Sequence, residues 1–190
     1  MPIFIVEHLE EKLWPWCKVE YRHISRIVGK KNVWFTHVRG RALASYGKVI
    51  SKSVIELYRQ GKIKNVCVLD PAARKTLTPA DAQAFDYFVF GGILGDDPPQ
   101  QRTAPELTMQ MSQVAARNIG TKQMSTDTAV YVVHEIVKGK QLSHLSFQDG
   151  IEISIGESES TLLPYRYVLV DGKPMISREL VAYVKKRKGL

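Results

Sequence analysis

The 190-residue chain has few cysteines, no long apolar run and neither of the common nucleotide-binding glycine motifs. Its two cysteines, Cys17 and Cys67, are too few for a clustered zinc site, and we expect no metal and a reducing, cytoplasmic location. No apolar run approaches the roughly 20 residues of a membrane-spanning helix, so we expect no membrane contact. The chain contains no G-x-G-x-x-G dinucleotide motif and no G-K-S/T phosphate loop, which excludes the usual Rossmann and P-loop sites.

Positive charge is concentrated at the two ends of the chain. The net charge is +8 at pH 7. Residues 1–65 carry 13 lysines and arginines against 5 acidic residues, and residues 166–190 carry 7 against 2. Residues 66–165 carry 7 against 12. The basic ends therefore have two interpretations, which are contact with the phosphates of RNA or a ribosome and simple solubility.

Short apolar runs alternate with amphipathic stretches, which is typical of a mostly parallel α/β sheet with helices on both faces. No linker interrupts the pattern, so we expect one domain over residues 1–190. Residues 39–48 are predicted to form a mobile basic loop. The predicted strands are Ile3–Val6, Val33–Thr36, Val66–Leu69, Tyr87–Phe90, Val114–Asn118, Ile151–Ile155 and Tyr165–Val170. The predicted helices are Trp16–Val28, Ser51–Gln60, a short one from Thr78, residues 106–111, Thr128–Val137 and Arg178–Lys186.

Two segments at the carboxyl edge of the predicted sheet have the composition of ligand-binding loops. Residues 88–99 read F-V-F-G-G-I-L-G-D-D-P-P, so a buried strand passes into glycines that permit close approach of a ligand. Residues 120–128 read G-T-K-Q-M-S-T-D-T and lead into a helix whose free N–H groups suit a carboxylate. A tight turn and helix capping explain the same residues structurally. Since ligands bind beyond the carboxyl ends of parallel strands, we expect a site after Leu69, after Phe90 and before Thr128.

Together these segments resemble the SPOUT class of S-adenosylmethionine-dependent methyltransferases. Within that class they are most similar to a small group with a yeast protein arginine methyltransferase that acts on a small-subunit ribosomal protein. The resemblance covers most of the chain and extends to residues 5–11 (I-V-E-H-L-E-E), 69–71 (L-D-P) and 164–168 (P-Y-R-Y-V). It implies a trefoil knot in the C-terminal half, roughly over residues 66–170, with S-adenosylmethionine held inside the knotted loops.

The resemblance also implies which residues contact the cofactor. Backbone groups of the two segments can recognise adenine, and their apolar side chains can enclose it. A third wall is expected from residues 150–165. The implied cofactor contacts are Leu69, Gly91, Gly92, Ile93, Leu94, Gly95, Gln123, Met124, Ser125 and Thr126.

Arginine methylation places a specific demand on the site, because the guanidinium group has a pKa above about 12 and stays protonated. Carboxylates can hold its planar fork and accept a proton. We predict that Glu7, at the end of the first strand, and Asp96, in the first glycine segment, are the catalytic pair. Asp97 and Asp127 are second choices, and Asp127 also fits a helix cap. Arg102 either holds the cofactor carboxylate or Asp96, or lies on the surface.

The expected function is therefore methylation of an arginine in a ribosomal protein, by a monomer. Two alternatives stay open at this point. Most members of the wider SPOUT class methylate tRNA or rRNA, which a charge of +8 suits equally well. The chain could also be a non-catalytic module that binds a ribosome or RNA and keeps a vestigial pocket.

Overall fold

A computed structural model of the chain describes residues 1–95, 97–156 and 159–186. Its larger sheet consists of β1 (Ile3–His8), β2 (Val33–Thr36), β3 (Lys48–Ile50), β4 (Val66–Leu69), β5 (Tyr87–Gly92) and β6 (Ala115–Arg117). The strand order is β3-β2-β1-β5-β4-β6, and every neighbouring pair is parallel. All six strands therefore end at one edge, which confirms the predicted parallel sheet.

Local sequence signals account for the start or the end of several helices of the described residues. They are α1 (Pro15–Val28), α2 (Val54–Arg59), α3 (Pro79–Ala82), α4 (Thr103–Glu106), α5 (Thr126–Val137) and α6 (Arg178–Lys186). Proline opens α1, and Gly29 ends it with a φ of 82°. A capping box between Ser53 and Glu56 starts α2. No helix of the described residues is both long and apolar enough to cross a bilayer.

Helices cover both faces of the parallel sheet. On one face, Phe4 and Val6 of β1 pack with Tyr21 and Ile24 of α1, and α5 joins the same cluster through Val130. On the opposite face, residues of β1, β4 and β5 pack with α2 and with a leucine and a methionine that follow α4. The buried members of that second cluster are Ile5, Val54, Leu57, Ile63, Val66, Val68, Val89, Leu107 and Met111. The two clusters confirm the predicted layering.

A second, antiparallel sheet follows the first. It consists of β7 (Phe147–Ser154), β8 (Ser160–Val170) and β9 (Lys173–Pro174), in the order β7-β8-β9. Its apolar side packs against α6 and the Trp16 side chain of α1. The backbone N–H of Arg166 in β8 donates to the Gln123 carbonyl at 2.8 Å. This bond ties β8 to the segment that precedes α5.

Three sequence predictions need correction. Residues 106–111 do not form an α-helix, because α4 ends at Glu106 and Thr108–Gln110 form only a single 3-10 turn. Residues 39–48 are not a free loop, because Leu43 is fully buried and Lys48 begins β3, which pairs with β2. The helix predicted from Thr128 begins at Thr126, so Thr126 and Asp127 belong to its first turn. The trefoil knot and the single-domain assignment stay predictions.

Candidate active site

A cavity opens at the carboxyl edge of the parallel sheet, where β4, β5 and β6 end. It encloses about 980 Å³ of space, part of which is open to solvent. Its walls are formed by Leu69–Pro71 at the end of β4, by residues 90, 91 and 93–95 at the end of β5, by residues 99–103, and by residues 119–124 before α5, with Thr126 and Ala129 of α5 itself. These are the places at which parallel sheets bind ligands. The sequence predicted three of these walls.

Eight of the ten predicted cofactor contacts line the cavity, and two do not. Those that line it are Leu69, Gly91, Ile93, Leu94, Gly95, Gln123, Met124 and Thr126. Gly92 faces α1, because a Cβ on it would lie 2.1 Å from the Tyr21 Oη atom. The hydroxyl of Ser125 is buried and donates to Thr128 Oγ1 at 2.8 Å. The third wall comes from residues 99–103, and no described residue of the predicted segment 150–165 lines the cavity.

The two loops of the cavity contact one another at Gly95. A Cβ at this position would lie 2.4 Å from the Tyr165 ring and 2.8 Å from Gln123 Nε2. The Tyr165 hydroxyl donates to the Gly95 carbonyl at 3.0 Å. On the other side of the loop, Glu10 Oε1 accepts from the Leu94 N–H at 3.0 Å. The glycine therefore lets β8 and the segment before α5 approach the first loop closely.

The cavity suits a purine nucleoside that carries no phosphate chain. Its walls are largely apolar, and Leu94 and Met124 contribute to them. The two described cations that line it are already paired. Arg102 forms ion pairs with Glu10 and Glu106, and Lys122 Nζ lies 2.7 Å from Asp149 Oδ2. Neither cation is therefore free to bind a phosphate. The backbone N–H and C=O groups of the two loops can instead form hydrogen bonds with a heterocycle.

Glu7 does not line the cavity, although it pairs with Gly91 of β5. Its side chain is buried, and its Oε2 atom accepts from the Thr36 hydroxyl at 2.5 Å and from the Val54 N–H at 2.9 Å. The carboxylate thus holds the first N–H of α2, an interaction that helix N-termini favour. The catalytic role predicted for Glu7 gains no support from this position.

We expect Glu7→Ala to lower the free energy of unfolding by about 2 kcal/mol, because it leaves the Val54 N–H buried without an acceptor. Urea denaturation measures this loss. Thr36→Val, alone and combined with Glu7→Ala, is the matched control, and the two changes should be less than additive. Wild-type stability together with abolished methyl transfer would instead make Glu7 a catalytic residue.

Of the other predicted acidic and basic candidates, Arg102 lines the cavity and Asp97 does not. Asp96 lies outside the described residues. Asp97 is exposed to solvent. Arg102 lines the cavity, where its neighbours Glu106 and Glu10 raise the pKa of its guanidinium group. Because Arg102 is committed to these two carboxylates, it does not act as a free anion-binding side chain.

A buried carboxylate pair lies behind the cavity wall, and sequence reasoning found only one of its members. Glu20 of α1 and Asp127 of α5 are both almost completely buried. Burial, and next the Asp127 carboxylate, raise the pKa of Glu20 well above its ordinary value. His23 Nδ1 lies 2.7 Å from Asp127 Oδ2. A hydrogen bond to the side chain of Thr126, which lines the cavity, partly offsets this rise in the pKa of Glu20.

A signal for Glu20 was present in the sequence. The buried face of α1 repeats at helical spacing through Cys17, Tyr21, Ile24 and Val28. Glu20 lies on that same face, three residues after Cys17 and four before Ile24. A carboxylate on an otherwise apolar helix face needs a hydrogen-bonding or charged partner, because burying it alone is costly in free energy.

Comparison with known proteins assigns this architecture to a family. The model of the family described as "Protein arginine N-methyltransferase SFM1-like" matches residues 3–189. The protein arginine N-methyltransferase SFM1 of Saccharomyces cerevisiae is 36% identical over 203 residues, which cover 96% of this chain and 94% of that protein.

Solved structures agree with the sequence match. The yeast SFM1 structure with S-adenosylmethionine has a TM-score of 0.88 at 34% identity, over 98% of this chain and 91% of that one. The yeast complex with S-adenosylhomocysteine has a TM-score of 0.86 at 34% identity, over 96% and 94%. A Trm10 structure from Thermococcus kodakaraensis has a TM-score of 0.60 at 16% identity, over 75% of this chain and 95% of that one, and it shares the fold alone.

Proposed function

The chain belongs to the SFM1-like family of protein arginine N-methyltransferases, and on that basis we propose that it transfers a methyl group from S-adenosylmethionine to an arginine side chain of a ribosomal protein. The observation that carries the proposal is the cavity in which the loop Gly91–Gly95 meets the segment Gln123–Thr126. When bound there, S-adenosylmethionine supplies a methyl group that an arginine nitrogen accepts while the bonding electron pair stays on sulfur.

The residues of this chain contribute binding and orientation. Ile93, Leu94 and Met124 form apolar walls for the adenine ring, and the backbone beside them supplies donors and acceptors. Glu10 fixes the first loop through its bonds to the Leu94 N–H and to Arg102. Because the reacting atoms must lie about 3–3.5 Å apart and in line, a loop held on both sides supplies much of the rate.

The acceptor has to lose a proton during the reaction. Arginine keeps its charge at neutral pH, so a nearby carboxylate must orient the guanidinium fork and receive the proton. Asp96 follows Gly95 directly in the sequence and remains our predicted proton-accepting carboxylate.

The charge distribution supports a ribosomal acceptor. Arg39 and Arg41 follow β2, and Lys52 follows β3, so these exposed cations extend from the sheet edge that carries the cavity. Cations at such an edge suit contact with rRNA phosphates beside a protein acceptor. The buried free thiols of Cys17 and Cys67 are compatible with the reducing cytoplasm that we propose as the location.

Methyl-labelled S-adenosylmethionine tests this proposal. The enzyme is incubated with ribosomal subunits from cells that lack it, and each sample is divided for protease and ribonuclease digestion. We expect label that survives ribonuclease, disappears with protease and migrates with one ribosomal polypeptide. Label in RNA would favour RNA methylation, and absence of transfer despite cofactor binding would favour a non-catalytic module.

A further inference from the structure

Arg102 is an arginine that already lies at the wall of the cofactor cavity. Among the described residues that line the cavity it is the one arginine. Its side chain is 29% exposed, so the guanidinium group is accessible. Methyl transfer to arginine requires a guanidinium nitrogen held beside the methyl donor, and at this wall the chain itself supplies such a group.

Two carboxylates from different parts of the fold hold this guanidinium group. Its Nε atom donates to Oε1 of Glu106, the last residue of α4, at 2.7 Å. Its Nη1 atom donates at 3.0 Å to Oε1 of Glu10, which follows β1. The same Glu10 oxygen accepts from the Leu94 N–H. The guanidinium plane is therefore fixed relative to the loop that would hold the cofactor.

The third nitrogen of Arg102, Nη2, donates to no acceptor among the described residues. Arg117 is held differently, because all three of its nitrogens are used. Its Nε and Nη2 atoms donate to Asp81, and its Nη1 atom donates to the Ala116 carbonyl at 2.9 Å. Arg117 also does not line the cavity. Of these two held guanidinium groups, only that of Arg102 combines an unused nitrogen with a place at the cavity.

We propose that the enzyme methylates its own Arg102 at Nη2, an inference that rests on the proposed function. The two carboxylates draw the positive charge toward Nε and Nη1, which leaves the electron pair of Nη2 more available. Nη2 forms a bond to the methyl carbon of S-adenosylmethionine, the carbon–sulfur bond breaks, and its electron pair stays on sulfur. Nη2 then releases one proton, which passes through water to the partly exposed Glu106 carboxylate and on to solvent.

The methylated side chain is compatible with the folded structure. Both ion pairs of Arg102 use Nε and Nη1, so a methyl group on Nη2 leaves the bonds to Glu106 and Glu10 in place. Methylation also preserves the positive charge of the guanidinium group. The wall formed by residues 99–103 therefore keeps both of its charged contacts after the modification.

Incubation of the wild-type chain with S-adenosylmethionine, without any other acceptor, tests the proposal. The chain is made by cell-free synthesis without this cofactor, so that it starts unmodified. Mass spectrometry of the intact chain should then show one added methyl group, and peptide mapping should place it on Arg102. Because the acceptor belongs to the enzyme itself, the rate constant should be the same over about a tenfold range of enzyme concentration. A methyl group on another residue, or a rate constant that rises with enzyme concentration, would overturn the proposal.

Glu106→Gln separates orientation of the guanidinium group from a structural role. Glutamine keeps an oxygen that can accept from Nε but loses the negative charge, so we expect self-methylation to slow about tenfold. The Kd for S-adenosylhomocysteine, measured by calorimetry, should stay that of wild type, whereas a disturbed fold would weaken binding as well. Glu135→Gln, whose carboxylate pairs with Lys138 and does not line the cavity, is the matched control. A wild-type rate in Glu106→Gln would contradict the proposed role of the carboxylates.

Arg102→Lys and Arg117→Lys give an independent check on the modified position. Arg102→Lys should lose the added methyl group, because lysine has no guanidinium group to accept it. Arg117→Lys should keep it, because Arg117 does not line the cavity. If the wild-type enzyme methylates a ribosomal polypeptide and leaves Arg102 unmodified, this inference alone fails. If it binds the cofactor and methylates neither, the proposed function fails as well.

Discussion

Gly95→Ala is expected to weaken S-adenosylhomocysteine binding about 100-fold with little effect on stability. The added methyl group would lie 2.4 Å from the Tyr165 ring and 2.8 Å from Gln123 Nε2, so the first loop must move away from the second. Loss of about two hydrogen bonds between the shifted loop and the ligand, each contributing roughly 1.4 kcal/mol, corresponds to a factor of about this size. Gly95 is exposed, so the fold itself should tolerate the change.

Calorimetric titration of Gly95→Ala with S-adenosylhomocysteine measures this loss. Gly156→Ala is the control, because its Cβ would meet only the Glu159 side chain at 3.6 Å, an ordinary contact. Affinity equal to that of wild type would mean that contact between the two loops does not shape the cofactor site.

Gly92→Ala should have the largest effect on stability, a loss of about 3 kcal/mol and a fall in Tm of about 10 °C. Its Cβ would lie 2.1 Å from Tyr21 Oη and 2.9 Å from the backbone carbonyl of Glu7. Both obstacles are buried, and the carbonyl belongs to a central strand, so neither can yield cheaply. The strand β5 and the helix α1 would have to separate.

Thermal and urea unfolding of Gly92→Ala test this expectation. Adding Tyr21→Phe removes the nearer obstacle, so the double variant should recover part of the loss and show non-additivity. Tyr21→Phe alone also loses the contact between its hydroxyl and His8 Nδ1 at 2.9 Å, and it supplies the baseline. A Gly92→Ala protein as stable as wild type would show that α1 does not pack tightly on β5.

Much of the parallel sheet could be predicted because its strands are continuous apolar runs. Residues 66–69 and 33–36 are strands with the predicted bounds. The short edge strand β3 escaped prediction, since only three residues pair and the first is an exposed lysine. The antiparallel pairing of β7 with β8 also escaped, because periodicity identifies a strand without its partner.

The position of the cavity could be predicted from the sequence, whereas the arrangement of the acidic residues near it could be predicted only in part. The rule that ligands bind beyond strand ends predicted the place of the cavity, and eight of the ten cofactor contacts that the family resemblance implies line it. The rule does not say which way a side chain points, so it could not show that the Glu7 carboxylate, which we predict to be catalytic, accepts a hydrogen bond from the N-terminus of α2. Glu20 and Asp127 are 107 residues apart in the chain, and only packing of α1 against α5 brings them together.

The most direct test of the account identifies the methylated residue itself. The ribosomal polypeptide labelled from S-adenosylmethionine is hydrolysed to amino acids, which are separated and compared with standards. The account predicts that the label is found in Nω-methylated arginine and that it depends on intact Gly95. Label in any other amino acid, or in a nucleoside, would contradict it.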